Sequence, residues 1–165
     1  MVDMDKLVVL VNSFGSALVS VSGELGVKVN LNKSKVSQGI NVKNVCAAAL
    51  IGIVGSGIKG SVIVMFDKDS FGAVITAMSG GEVTPCIDDA MSMSAVGELS
   101  NMVSGRALMH SAIPDIDVTP PQLIAGDNIR NVPNQDPGIR CFTLPFNILN
   151  GEAALYLVLS FHINS

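Results

Sequence analysis

Glu98 and Asn101 stand three residues apart in the segment Ser94-Ala-Val-Gly-Glu98-Leu-Ser-Asn101-Met-Val-Ser-Gly105. On an α-helix that spacing puts a carboxylate and an amide on one face, a turn apart. The carboxylate can hold a partner's lysine or arginine, and the amide, donor and acceptor together, can hold a water and a phosphoryl oxygen at once. Neither group needs to be a nucleophile. At about 100° per residue, Ser94, Glu98, Asn101 and Gly105 fall within roughly 60° of one another, while Val96, Leu99, Val103 and Ala107 line the opposite side. Gly97, Ser104 and Gly105 border the polar stripe, where small side chains let another molecule's backbone come close, although each exposed glycine costs a helix about 1 kcal/mol relative to alanine. Taken alone, such a pair is more often a solvated helix face than a site.

The remaining reactive side chains form no competing constellation. His110 and His162 have no Cys, Asp or Glu partner at ligand spacing, so no metal site is expected. Asp88 and Asp89 are explained by the positive end of a helix dipole. Gly55-x-Gly57-x-x-Gly60 matches the dinucleotide fingerprint, but that motif must open a helix, whereas Ser61-Val-Ile-Val-Met-Phe66 continues as a strand. A hairpin turn is the reading. No Ser, Cys or His stands in a nucleophile signature such as GxSxG. Met91, Met93, Met102 and Met109 read as ordinary helix packing.

These residues need elements to position them. Residues 84 to 111 read as one helix, with Thr84 as N-cap, Pro85 at the first helical position and the two acids in the first turn. Residues 4 to 24 read as another, with Leu7, Leu10, Val11, Phe14, Leu18 and Val21 at helical spacing and Gly26 ending it. A shorter helix from Asp67 to Met78, capped by Asp67 or Asp69, turns Phe71, Val74, Ile75 and Met78 inward and ends at Gly80-Gly81. Strands are expected at Val27–Leu31, Cys46–Val54, Ser61–Phe66, a short run through Val118, Arg140–Ile148 and Glu152–Ile163, with Asn150-Gly151 as a hairpin turn. Asn32 to Gly39 reads as a polar loop, Pro120-Pro121 as a corner and Gly126 to Gly138 as a loop or hairpin tip. In the last strand Ala153, Leu155, Leu157, Leu159, Phe161 and Ile163 share the face under the helices. The order of helix, three strands, two helices and three strands suggests a loosely duplicated α/β unit.

Composition narrows the function classes. The chain has 165 residues and is 48% hydrophobic, enough for one domain with a sizeable core. Ten Lys and Arg against 14 Asp and Glu give a net charge of −4. Without a basic run, a nucleic-acid partner is not expected. Cys46, Cys86 and Cys141 are an odd set with no CxxC, which points to reduced thiols in the cytosol, each a small buried hydrophobe. The start, Met-Val-Asp-Met-Asp-Lys, lacks the positive region of a secretory signal. The most apolar stretch, Val45 to Ile58, falls short of the ~20 residues of a membrane-spanning helix. A cytoplasmic protein with no membrane partner is expected.

The order Ser94-x3-Glu98-x2-Asn101, followed by Asp-Ile-Asp-Val-Thr-Pro-Pro-Gln-Leu-Ile-Ala-Gly-Asp-Asn-Ile at 115 to 129, resembles the CheC/CheX/FliY family of chemotaxis response-regulator phosphatases, the CheX branch most closely. The resemblance runs over nearly the whole chain. It implies one α/β (α+β) domain spanning residues 1 to 165, with a mostly antiparallel sheet and helices on one face. It also implies a phosphatase acting on the aspartyl phosphate of a CheY-like receiver: Glu98 docks on a receiver lysine, Asn101 orients the attacking water, and Ser94 holds the family's Asp-or-Ser position. Gly97 and Gly105 would support the partner's approach. No cofactor of its own is implied, the Mg2+ coming with the receiver. One departure stands out, since the family pattern sets a proline a few residues further beyond the Asn than Pro120 or Pro121, as if the turn after the helix were shorter here. Asn12 follows Val9 rather than an acid, so a single active face, the CheX arrangement, is expected. CheX-type chains pair by sharing strands, and the sparsely charged strands Cys46–Val54, Arg140–Ile148 and Glu152–Ile163 should leave an unguarded edge for a homodimer. The alternatives are a non-catalytic CheX-like module that docks on a receiver or other signalling protein, and a mainly structural dimer.

Overall fold

Two long antiparallel hairpins make the centre of the sheet in the computed structural model, which describes residues 4–130 and 138–162. The first joins β3 (Val45–Gly55) to β4 (Ile58–Asp67), and the second joins β7 (Ile139–Ile148) to β8 (Ala153–His162). β4 pairs with β8, so the hairpins stand side by side. Short strands flank them: β1 (Asn30–Leu31) and β2 (Ser37–Gln38) along β7, β5 (Ile116–Val118) and β6 (Gln122–Ala125) along β3. Three helices, α1 (Met4–Glu24), α2 (Lys68–Ser79) and α3 (Ala90–Ser111), cover one face.

Alternation in the strands builds this core. Leu155, Leu157, Leu159 and Phe161 of β8 meet Phe14, Leu18, Ile75 and Leu99 of the helices, as the period of two requires. A smaller apolar layer with Val45, Met65, Tyr156 and Val158 lies on the other face, against Ile40, Val42 and Ile129. α1 has the length and mean hydropathy, 1.4, of a membrane span. Leu7, Leu10, Phe14, Ala17, Leu18 and Val21 are nevertheless buried on the sheet, the pattern of an amphipathic core helix.

The glycines of the apparent dinucleotide motif serve the hairpin instead. Ser56 and Gly57 are left-handed, at φ 53° and 78°, and the ladder closes at Gly55–Ile58. The turn is a tight two-residue one and both strands reach further than the sequence suggested. A side chain at Gly55 would run into the Asp115 carbonyl, and one at Gly60 into the Ser160 carbonyl and the Phe161 ring.

The expected duplication is present, with four strands per half instead of three. α1, β1, β2, β3 and β4 recur as α3, β5, β6, β7 and β8, and each half's short strands pair with the other half's hairpin. Leu10, Ser13, Phe14, Ala17, Leu18 and Val21 of α1 are buried, and Val96, Leu99, Ser100, Val103, Ser104 and Ala107 of α3 are buried with the same spacing.

Several expectations need correction. Of Val27–Leu31 only Asn30 and Leu31 pair as a strand, while Val27 and Val29 are buried beneath α1 and α2 as core residues. β6 was hidden within the presumed corner and loop. It is exposed throughout, so it lacks an alternating pattern and exists by pairing with β3. The chain then follows β3 further, with Gly126 N–H donating to the Cys46 carbonyl (3.0 Å) and Ile129 N–H to that of Val45 (2.7 Å). The rest of that loop from residue 131 to 137, and Ile163, lie outside the described residues. None of the three strands expected to offer an open edge does so: β3 is flanked by β4 and by β5–β6, β7 by β8 and by β1–β2, and β8 by β4 and β7. Cys86 is exposed and the other two cysteines are half-buried.

Candidate functional site

α3 carries the candidate pair Glu98 and Asn101, and its start differs from expectation. The cap is Asp89, whose Oδ1 accepts from Met91 N–H at 3.2 Å. Thr84 and Pro85 lie before the helix. Aspartate caps at least as well as threonine, and here a second interaction decides the position. Ser92 Oγ accepts from the Cys86 N–H (3.2 Å) and lies 3.4 Å from Asp89 Oδ2, while Asp89 N–H donates to the Cys86 carbonyl (3.1 Å). Residues 86 to 89 therefore close a turn instead of the first helical turn. At the other end Ala112 is left-handed, at φ 52°.

One side of the helix is fixed. Val96, Leu99, Val103 and Ala107 are fully buried, and the buried Ser100 donates to the Val96 carbonyl at 2.8 Å. α1 lies alongside, tied near both C-terminal ends by Arg106, whose Nη1 reaches Glu24 Oε1 (2.6 Å) and Ser20 Oγ (2.8 Å) and whose Nη2 reaches Glu24 Oε2 (3.0 Å). The guanidinium holds the Glu24 carboxyl below its ordinary range. With its inner side packed and one flank clamped, the helix cannot rotate its outer stripe away.

On that outer side Ser94, Glu98, Asn101 and Gly105 are all exposed. Neither the Glu98 carboxylate nor the Asn101 amide hydrogen-bonds or ion-pairs with another side chain among the described residues. The pair thus faces outward with its hydrogen-bonding capacity free, about 4.5 Å apart along the axis. Gly97 is different. It is buried, and a Cβ there would stand 3.3 Å from Leu123 Cδ2, so its smallness admits a side chain of β6 rather than a foreign backbone. Ser104 is likewise buried, its hydroxyl donating to the Asn101 carbonyl at 3.1 Å. Two of the four methionines also depart from packing. Met91 is 66% and Met109 74% exposed, and they stand at either end of the polar stripe. Their spacing places them at the same helical angle, a signal present in the sequence but outweighed by methionine's usual role as core filler.

The family model described as chemotaxis phosphatase CheX matches residues 47–147, a span that contains all of α3. The chain belongs to the CheX family. The CheY-P phosphatase CheX of Thermotoga maritima is 31% identical over 118 residues, covering 70% of this chain and 74% of that protein. A CheC-like superfamily protein from Shewanella sp. PV-4 superposes with a TM-score of 0.79 at 26% identity, over 94% of this chain and 98% of the other. The fold also matches the structure of a CheX–CheY–BeF3–Mg2+ complex from Borrelia burgdorferi, with a TM-score of 0.67 at 20% identity over 92% of this chain and 97% of that one.

Within this CheX-family chain the duplication shows what α1 offers in place of the pair. By the shared burial pattern, Ser94, Glu98 and Asn101 correspond to Val8, Asn12 and Gly15. Asn12 is exposed but stands opposite the acid, not the amide, and no acid-amide pair exists on α1. Among the described residues no three His, Cys, Asp or Glu side chains gather as a cation site.

Proposed function

We propose that this chain dephosphorylates the aspartyl phosphate of a CheY-like receiver domain. The observation that carries the reading is the exposed, unengaged Glu98–Asn101 pair on a helix whose other side is locked into the core. In this reading α3 lies over the acyl phosphate and Glu98 pairs with a receiver lysine. The Asn101 side chain accepts from the attacking water and donates to a phosphoryl oxygen. Water oxygen bonds to phosphorus, the P–O bond to the receiver's aspartate breaks, and inorganic phosphate leaves with the carboxylate restored. The Mg2+ comes with the receiver. Ser94 and Gly105 leave room beside the pair, and Met91 and Met109 offer apolar contact at the ends of the stripe.

Charge supports the same docking. From Asp69 to Asp127 the chain carries eight acids and a single base, Arg106, which is itself paired with Glu24. A receiver surface bearing lysine would be steered toward α3. The relatives' names agree, one being a CheY-P phosphatase and another a CheX bound to CheY with BeF3 and Mg2+. A cytoplasmic setting belongs to this reading. Self-association does too, through the outer edge of β6, the exposed strand left beside β3.

The test is phosphate release from a receiver charged with acetyl phosphate, measured with and without this protein. Faster release supports the phosphatase. Binding of the charged receiver with no change in its decay would favour the non-catalytic module.

A further inference from the structure

The duplication leaves one groove filled and its counterpart open. Beside α3 the chain closes the space itself, Leu123 of β6 resting on Gly97. Beside α1 the position equivalent to Gly97 is Val11, and between it and β2 lies a cavity of about 590 Å³ whose walls include Val8, Val11, Leu31, Val36 and Phe142. That volume falls in the roughly 300–1,000 Å³ range of ligand clefts. Val8 and Val36 are 55% and 44% exposed, so the apolar walls open to the surface.

The charge at the rim is one-sided. Arg140 lines the cavity, where no carboxylate does among the described residues, and the turn between Leu31 and Val36 carries the exposed Lys33, while Lys35 of that turn lines a separate pocket with Lys43 and Tyr156. From Leu25 to Phe66 the sequence has five lysines and no acid, the reverse of the α3 side.

We propose that the groove between α1 and the β1–β2 edge is a second docking site, taking a short amphipathic segment of a partner protein that has one apolar face and acidic flanks. The apolar side chains would fill the cavity as Leu123 fills its counterpart, and the acids would meet Arg140 on the cavity wall and Lys33 in the adjoining turn. A concave, walled cavity suits side chains projecting from a peptide better than a planar bilayer. The site lies on α1 and the opposite sheet edge from β5–β6, and it does not depend on the phosphatase reading.

The probe is a synthetic peptide of about 12 residues with leucines at i, i+3, i+4 and i+7 and glutamates elsewhere, compared with a twin carrying lysine for glutamate. Methyl resonances of the intact protein are followed during titration up to about 1 mM peptide. The acidic peptide should shift Val8, Val11, Leu31 and Val36, and the Lys33→Glu/Arg140→Glu protein should bind it roughly tenfold more weakly. Val36→Ser should also weaken it, with the folded spectrum retained. Equal binding of the lysine twin, shifts confined to α3, or no shift at the highest concentration would each overturn the proposal. So would sedimentation with phosphatidylserine vesicles in the absence of peptide binding, which would assign the face to a membrane surface.

Discussion

At Asn101 the chemistry available is orientation, because an amide does not titrate near neutrality and cannot act as a general base. Loss of one positioned donor typically costs about 10²–10³ in rate. Asn101→Ala should therefore lower turnover by that order with an unchanged circular dichroism spectrum, since the side chain is exposed and hydrogen-bonds to no other side chain among the described residues. A folded, fully active variant removes Asn101 from the mechanism. In the proposed reading Glu98 would contribute differently, through an ion pair that acts in docking as well as in the transition state. Glu98→Ala should raise the Kd for the charged receiver and flatten its salt dependence, because screening operates over about 8 Å at physiological ionic strength; unchanged affinity across a salt series argues against the docking role. The shared exposed face of Glu98 and Asn101 was legible because a helix converts i, i+3 spacing directly into one face. Gly97 was not, since the same periodicity puts it beside the stripe and only the arrival of Leu123 from β6 shows what its small size is for.

Elements were legible where local pattern and tertiary role agree. α1, both hairpins and α2, whose Asp67 cap accepts from Ser70 N–H at 2.8 Å, follow from periodicity and turn chemistry. Asn150 (φ 60°) and Gly151 (φ 90°) are left-handed as expected, though the ladder closes one pair further out, at Ile148–Ala153. The start of α3 failed because two good caps, Thr84 and Asp89, compete locally and Ser92 decides between them through a bond that spacing does not announce. β6 failed because its partner, β3, is remote in sequence. The glycines give a test of this division. Gly60 lies in β4 against the β8 backbone, so Gly60→Ala should force the central strands apart and cost about 1–3 kcal/mol. Gly72 lies inside α2 with nothing near its missing Cβ, so Gly72→Ala should instead stabilise by about 0.5–1 kcal/mol. Urea denaturation of the two variants should move the midpoint in opposite directions, and a shift in the same direction would contradict the packing described for β4.

For the whole molecule, the duplication explains both the closed centre of the sheet and where it can still grow. Each half lends its short strands to the other half's hairpin, so every long strand is paired on both sides and the edge expected from apolar composition is already covered. What remains is short. On the β1–β2 side the edge is interrupted by the Lys33–Lys35 turn, a usual way of discouraging strand addition. On the other side Pro120 and Pro121 separate β5 from β6, where two strand residues of β3 lie opposite three, and prolines are tolerated at such a break. Beyond them β6 itself, Gln122–Ala125, contains neither lysine nor proline and exposes Leu123 and Ile124 at 43% and 42%. It is therefore the edge on which a second copy would pair, antiparallel about a two-fold axis, leaving the outer stripe of each α3 free. Sedimentation at micromolar concentration should show a dimer, and Ile124→Lys should convert it to a folded monomer by setting two like charges close together across the axis. A wild-type monomer would rule out the pairing, and a dimer indifferent to Ile124→Lys would move it to another surface, while neither result would touch the roles assigned to Glu98 and Asn101.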